Sequence, residues 1–122
     1  MHVLVVDDEK DMELLFKQRF RRELRDQHLT LRFAYSGEEA LAYLQQQEPM
    51  DVVLILSDIN MPGMNGIELL QRLKRQYAQV KVFMISAYND AQNYAMAMQH
   101  GADDYITKPI DFRHLIDKML AF

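Results

Sequence analysis

The chain has 122 residues, enough for one domain with a real core, and its 49% hydrophobic and 26% charged content is ordinary for a globular protein. It holds no cysteine, which excludes disulfides, thiol nucleophiles and thiolate metal sites, and its four histidines (His2, His28, His100, His114) make no metal-ligand spacing. A net charge of −4 argues against direct nucleic-acid binding, and no apolar stretch approaches the length of a bilayer span, so no membrane association is expected.

The elements alternate strand and helix along the chain. Met1-His2-Val3 runs straight into a strand, Val3–Val6, leaving no room for a signal peptide, so the cytoplasm is the expected compartment. That strand is continuously apolar, the pattern of a strand covered on both faces. Met12, Phe16, Phe20 and Leu24 recur every four residues and predict one amphipathic helix from about Asp11 to Arg25. Lys17, Arg19, Arg21, Arg22 and Arg25 fall on it as a solvated basic face. Leu29–Ala34 alternates and reads as a half-exposed strand. Ser36, with Glu39 three residues on, is a capping box opening a helix to about Gln47, which Pro49 ends.

Val52–Ser57 is the most buried-looking strand. Asn65 caps the next helix, Gly66 to about Gln76, with Glu68 three residues on. Val80–Ser86 is the fourth strand, and Asp90–Gln99 the fourth predicted helix. Gly101 suits the left-handed residue after that helix. Met96 and Met98 lie on it, and at least one is expected in the core. Tyr105–Thr107 is a short fifth strand, and Asp111 caps a last helix to about Leu120. Five strands and five helices with short connections imply an α/β fold, a parallel sheet covered by helices on both faces. The whole chain, 1–122, reads as one domain, without repeat or internal boundary.

Ligands of such sheets bind beyond the carboxyl ends of the strands, where strand order switches. Asp7 and Asp8 follow the first strand, Asp58 the third, Ser86 ends the fourth and Lys108 follows the fifth. If the first and third strands are neighbours, three carboxylates converge and repel one another unless a cation sits among them. The expected site is therefore a divalent-metal and phosphoryl site. Each residue taken singly has a plainer reading: acids at a helix start, a turn aspartate, a strand-end serine, a solvated lysine. Their coincidence at strand ends favours the site.

The chain resembles, over essentially its full length, the receiver (CheY-like) domain of bacterial two-component response regulators. The resemblance rests on Val5-Val6-Asp7-Asp8-Glu9 and on Ser57-Asp58-Ile59-Asn60-Met61-Pro62-Gly63-Met64-Asn65-Gly66. Ile85-Ser86-Ala87 and Gly101-Ala102-Asp103-Asp104-Tyr105-Ile106-Thr107-Lys108-Pro109 complete it. It implies a flavodoxin-like, doubly wound sheet of order 2-1-3-4-5. It implies that Asp58 is the phosphoacceptor and that Mg²⁺, with Mn²⁺ an alternative, is held by Asp8, Asp58 and the Asn60 carbonyl. Asp7 would act through a bound water. Ser86 and Lys108 would contact phosphoryl oxygens, Ser86 and Tyr105 would form a switch, and Lys108-Pro109 would be a cis bond.

The implied partners are a histidine kinase or histidine phosphotransfer protein, and a downstream protein or attached output domain. The implied protein catalyses its own phosphorylation and dephosphorylation and is otherwise not an enzyme. Asn60 and Tyr88 occupy positions that influence hydrolysis in the family. Two departures stand out: a longer separation of Asp8 from Asp58, assigned to the first helix or the turn at Asp26-Gln27-His28, and no lysine or arginine over 91–99. The alternatives are an aspartyl-phosphate phosphohydrolase, which needs a second aspartate where Asn60 stands, and a binding module of the same fold without the chemistry.

Overall fold

The structure, a computed structural model, describes residues 1–47, 51–87 and 91–121. Its elements are β1 (His2–Val6), α1 (Asp11–Arg19), α2 (Arg21–Arg25), β2 (Thr30–Ala34), α3 (Gly37–Gln45) and β3 (Val52–Asp58). They continue with α4 (Gly66–Gln76), β4 (Lys81–Ser86), α5 (Ala91–Gln99), β5 (Asp104–Thr107) and α6 (Phe112–Leu120). The strands form one sheet of order β2-β1-β3-β4-β5, and every pair is parallel. The parallel sheet is the one expected from the strand–helix alternation, and its order is the flavodoxin-like one that the resemblance implies. Strand order switches at β1, whose carboxyl end stands beside that of β3.

The apolar strands bury both faces. Leu4, Val6, Ile55, Val82 and Met84 point to one core, shared with Ala40 and Leu44 of α3, Leu69, Leu70 and Leu73 of α4, and Ala97 of α5. Val3, Val5, Leu54, Leu56, Phe83 and Ile85 point to the other, with Phe16 of α1 and Phe112, Leu115 and Met119 of α6. Alternation of side chains along each strand makes this division automatic. Each fully buried leucine or phenylalanine contributes about 1.5–3 kcal/mol. The three caps read from the sequence form: Ser36 accepts from the Glu39 N–H at 3.0 Å, Asn65 from the Glu68 N–H at 3.0 Å, and Asp111 from the His114 N–H at 3.2 Å.

Two expectations need correction. The first predicted helix is two helices, because Phe20 leaves helical geometry (φ −100°, ψ 19°) between α1 and α2. Its fully buried ring is gripped by Phe16 and Phe112, with centroids 5.6 Å away in each case. Helix count is therefore six among the described residues rather than five. Neither Met96 nor Met98 enters the core, since they are 37% and 40% exposed, and Ala97 alone is buried on α5. The helix meets the core through Ala97 alone and leaves its longer side chains outside. The five cations at 17–25 are exposed, as expected. Pro49 and Asp90 lie outside the described residues.

Two helices end in the same way. After α5, Gly101 (φ +92°) donates to the Met98 carbonyl, and Ala102 donates to the Ala97 carbonyl at 3.0 Å. After α2, Gln27 (φ +61°) donates to the Leu24 carbonyl, and His28 donates to the Glu23 carbonyl at 3.0 Å. Both are Schellman closures. Glycine occupies the left-handed position freely, whereas glutamine there carries a steric cost. Gln27→Gly is therefore expected to stabilise the fold by about 0.5–1 kcal/mol, read as a rise in the urea midpoint at unchanged slope.

Candidate functional site

The switch point brings the expected residues together. Asp7 leaves β1, and its N–H donates to the Ala34 carbonyl at 3.1 Å, which fixes the chain as it exits the sheet. Asp58 is the last residue of β3 and lies opposite Ile85 of β4. Asp7, Asp8 and Asp58 each present a carboxylate oxygen within 4.8 Å of the others. Asp7 and Asp58 are buried, at 5% and 4% exposure. Ser86 ends β4, fully buried, and its carbonyl accepts from the Lys108 N–H at 2.7 Å. That bond sets the start of the Lys108 side chain, whose ammonium stands 3.3 Å from Asp7 Oδ2 and 3.7 Å from Asp58 Oδ2. The Lys108–Pro109 peptide bond is cis.

The three acids are not equivalent. Asp7 has both oxygens engaged, Oδ1 accepting from the Glu9 N–H at 2.9 Å and Oδ2 facing Lys108. Asp8 makes no side-chain hydrogen bond or ion pair among the described residues and is the most exposed of the three. Burial pushes the Asp58 carboxyl up to about 6 from its ordinary 3.8, and the charges of Asp7 and Asp8 push the same way against the pull of Lys108. Burial alone would lower Lys108, but Asp58 and Asp7 outweigh it and hold its ammonium above the usual range. The donor set is hard oxygen and its negative charges are under-compensated, which fits a divalent cation such as Mg²⁺.

Residues without reactive groups also build the site. A Cβ on Gly66 would stand 2.2 Å from the Asp58 carbonyl oxygen and 2.7 Å from Ile59 Cα, so only glycine fits there. The Gly66 N–H donates to the Ile59 carbonyl at 2.8 Å, and Ile59 in turn donates to the Ile85 carbonyl at 2.9 Å. The first turn of α4 is thereby pressed against the backbone that carries Asp58. A Cβ on Gly37 of α3 would stand 2.9 Å from Met64 Sδ, so the loop after β3 also leans on α3. In the sequence Gly66 reads only as the first residue of the Asn65-capped helix, and a glycine at that position was the available signal of a close approach. Tyr105, half-buried on β5, packs edge-to-face on Tyr94 of α5 with centroids 5.3 Å apart. Tyr88 lies outside the described residues.

The sheet order and this rim of acids, serine and lysine define a family. The chain belongs to the response regulator receiver domain family, which it matches over residues 3–120. It is similar to the CheY-like receiver domain protein of Methanospirillum hungatei JF-1, at 29% identity over 98% of this chain and 90% of that one, with a TM-score of 0.85. It is also similar to the Francisella response regulator 1452 receiver domain, at 30% identity over 98% and 93% of the two chains (TM-score 0.83). A further similarity is to the Vibrio cholerae chemotaxis protein CheY4, at 26% identity over 98% and 95% (TM-score 0.83). Receiver domains are in general phosphoacceptor switches rather than enzymes that turn over a free substrate. No helix among the described residues is long and apolar enough to cross a membrane.

The raised Asp58 carboxyl has a consequence for stability. The folded protein binds this proton more tightly than the unfolded chain, so Asp58 lowers stability as pH rises from about 4 through about 6, and the full cost persists above that. The difference corresponds to about 3 kcal/mol. In metal-free buffer Asp58→Asn should raise the unfolding midpoint at pH 7–8, and the gain should vanish near pH 4. Thermal unfolding of both proteins across that range checks it.

Proposed function

We propose that Asp58 takes a phosphoryl group from a phosphohistidine on a histidine kinase or histidine phosphotransfer protein. The observation that supports this best is the burial of Asp58 at the end of β3, between two further carboxylates and the Lys108 ammonium. An Asp58 oxygen attacks phosphorus, the phosphorus–nitrogen bond to the donor histidine breaks, and its electron pair returns to the imidazole. With its carboxyl near 6, Asp58 is mostly ionised at neutral pH and so available as nucleophile. Lys108 leaves its contacts with Asp7 and Asp58 to pair with a phosphoryl oxygen, and the Ser86 hydroxyl donates to another.

A divalent cation, Mg²⁺ or Mn²⁺, would supply positive charge shared by nucleophile and phosphoryl oxygens. Asp8, Asp58 and the Asn60 carbonyl would hold it. Asp7, whose oxygens are already occupied, would act through a water. Ser86 and Tyr105 would carry the change outward to α5, and a downstream protein or attached output domain would read it. The exposed, uncharged surface of α5, with Tyr94 49% exposed, offers that reader apolar contacts in place of ion pairs. The cytoplasm is the compartment such a relay requires. Asn60, two residues after Asp58, is not an acid, which disfavours the phosphohydrolase alternative.

Incubation with acetyl phosphate and Mg²⁺ should add one phosphoryl group to the wild type by intact mass, and Asp58→Ala should show none while unfolding cooperatively. Undiminished addition in the variant would place the acceptor elsewhere. Asp8→Ala should weaken Mg²⁺ or Mn²⁺ binding more than Asp7→Ala does, by about tenfold against a smaller loss, because a direct ligand matters more than a water-mediated one. Metal titration of the two variants checks this, and equal losses would refute the division of labour.

A further inference from the structure

The outer edge of β2 forms the floor of a groove of about 450 Å³, on the edge of the sheet remote from β5. β2 pairs with β1 alone. The Thr30 N–H donates to the Met1 carbonyl at 2.8 Å, and the Ala34 carbonyl accepts from Asp7 at 3.1 Å. Thr30 and Ala34 thus turn their backbone groups toward β1, and by the period of two Arg32 does the same. Leu31 and Phe33, between them, turn N–H and C=O toward the open edge. Residues 31–35 all line the groove.

Helices wall this edge on both sides. Glu13 and Lys17 stand on the α1 side, Glu39 and Tyr43 on the α3 side. Tyr35 donates its hydroxyl to Glu13, which also binds Lys17 at 2.7 Å, so the α1 wall is fixed to the strand end. Each wall carries a cation over an aromatic ring: Lys17 lies 5.8 Å from the Phe33 centroid, and Arg32 lies 5.3 Å from the Tyr43 centroid. Lys17 is neutralised by Glu13. Arg32 has no ion pair among the described residues.

We propose that this groove takes an extended segment of a partner protein as an additional strand beside β2, with a carboxylate of that segment on Arg32. An added strand pairs the backbone groups that Leu31 and Phe33 leave open. The recess selects the occupant. A single extended chain fits between the α1 and α3 walls, whereas a second copy brings its own α1 and α3 against them. An exposed charge such as Arg32 on an edge strand also guards that edge from self-pairing. The guanidinium, placed over the Tyr43 ring and without an ion pair among the described residues, suits a bidentate carboxylate. The groove is remote from β5 and is lined by none of the residues of the Asp58 cluster.

The test uses the whole chain and a blocked pentapeptide of alternating valine with threonine and one aspartate between them. Amide hydrogen exchange is followed by NMR at millimolar peptide. Leu31 and Phe33 amides should slow by about tenfold, while Arg32 and Ala34, already directed at β1, should not change. Arg32→Glu should weaken binding of the aspartate peptide by about tenfold and favour the same peptide carrying lysine. Arg32 is exposed, so the variant should fold as the wild type does. Three results would overturn the proposal. One is unchanged Leu31 and Phe33 exchange at the solubility limit. Another is equal protection by a peptide N-methylated on its strand-facing amides. The last is protection that appears without peptide as protein concentration rises, which assigns the edge to a second copy.

Discussion

Everything at the functional rim follows from one electrostatic constraint. Asp58 is buried at the end of a strand with two further carboxylates in reach, and burial and repulsion both oppose its charge. Such a group is tolerable only where positive charge can be brought to it. Lys108 supplies part of that charge from across the sheet, at 3.7 Å. The lysine is itself half a structural element, since its backbone is tied to Ser86 before its ammonium reaches the acids. The balance remains incomplete, and burial together with the charges of Asp7 and Asp8 pushes the Asp58 carboxyl up to about 6. A surplus of negative charge held at fixed positions is a ready receptor for a cation.

Holding charges against their own repulsion needs rigid backing, and packing provides it. β1 and β3 are apolar on both faces and sit between two cores. The loop leaving Asp58 is pinned by Gly66 beneath it and by the Ile59 bond to β4. Toward β5 the character changes: α5 has one buried residue, no charge and a tyrosine stack as its chief contact with the neighbouring strand. A rigid acidic rim beside a lightly seated helix is an arrangement in which a local change of charge can move a surface at modest energetic cost.

Much of this architecture was open to reading from the chain itself. Apolar runs closed by Asp7, Asp58 and Ser86 place chemistry at strand ends, and the capping residues Ser36, Asn65 and Asp111 mark helix starts that the structure contains. These features are local. A cap is a hydrogen bond across three residues, and a doubly covered strand declares itself by an unbroken apolar run. The strand order came from the resemblance carried by the motifs.

What the chain alone left undecided is what depends on neighbours distant in sequence. The break at Phe20 is invisible in a perfect four-residue periodicity, because it arises where Phe112, far along the chain, takes hold of the ring. Met96 and Met98 look like core residues by composition, yet only the placement of α5 against the sheet decides which row is buried. Gly66 reads as the ordinary first residue of a helix until α4 is seen to press against the Asp58 carbonyl. The sequence determined which side chains carry charge and where each strand ends. Tertiary structure decided how near those charges stand and how much water they keep, and Coulomb energy depends on both.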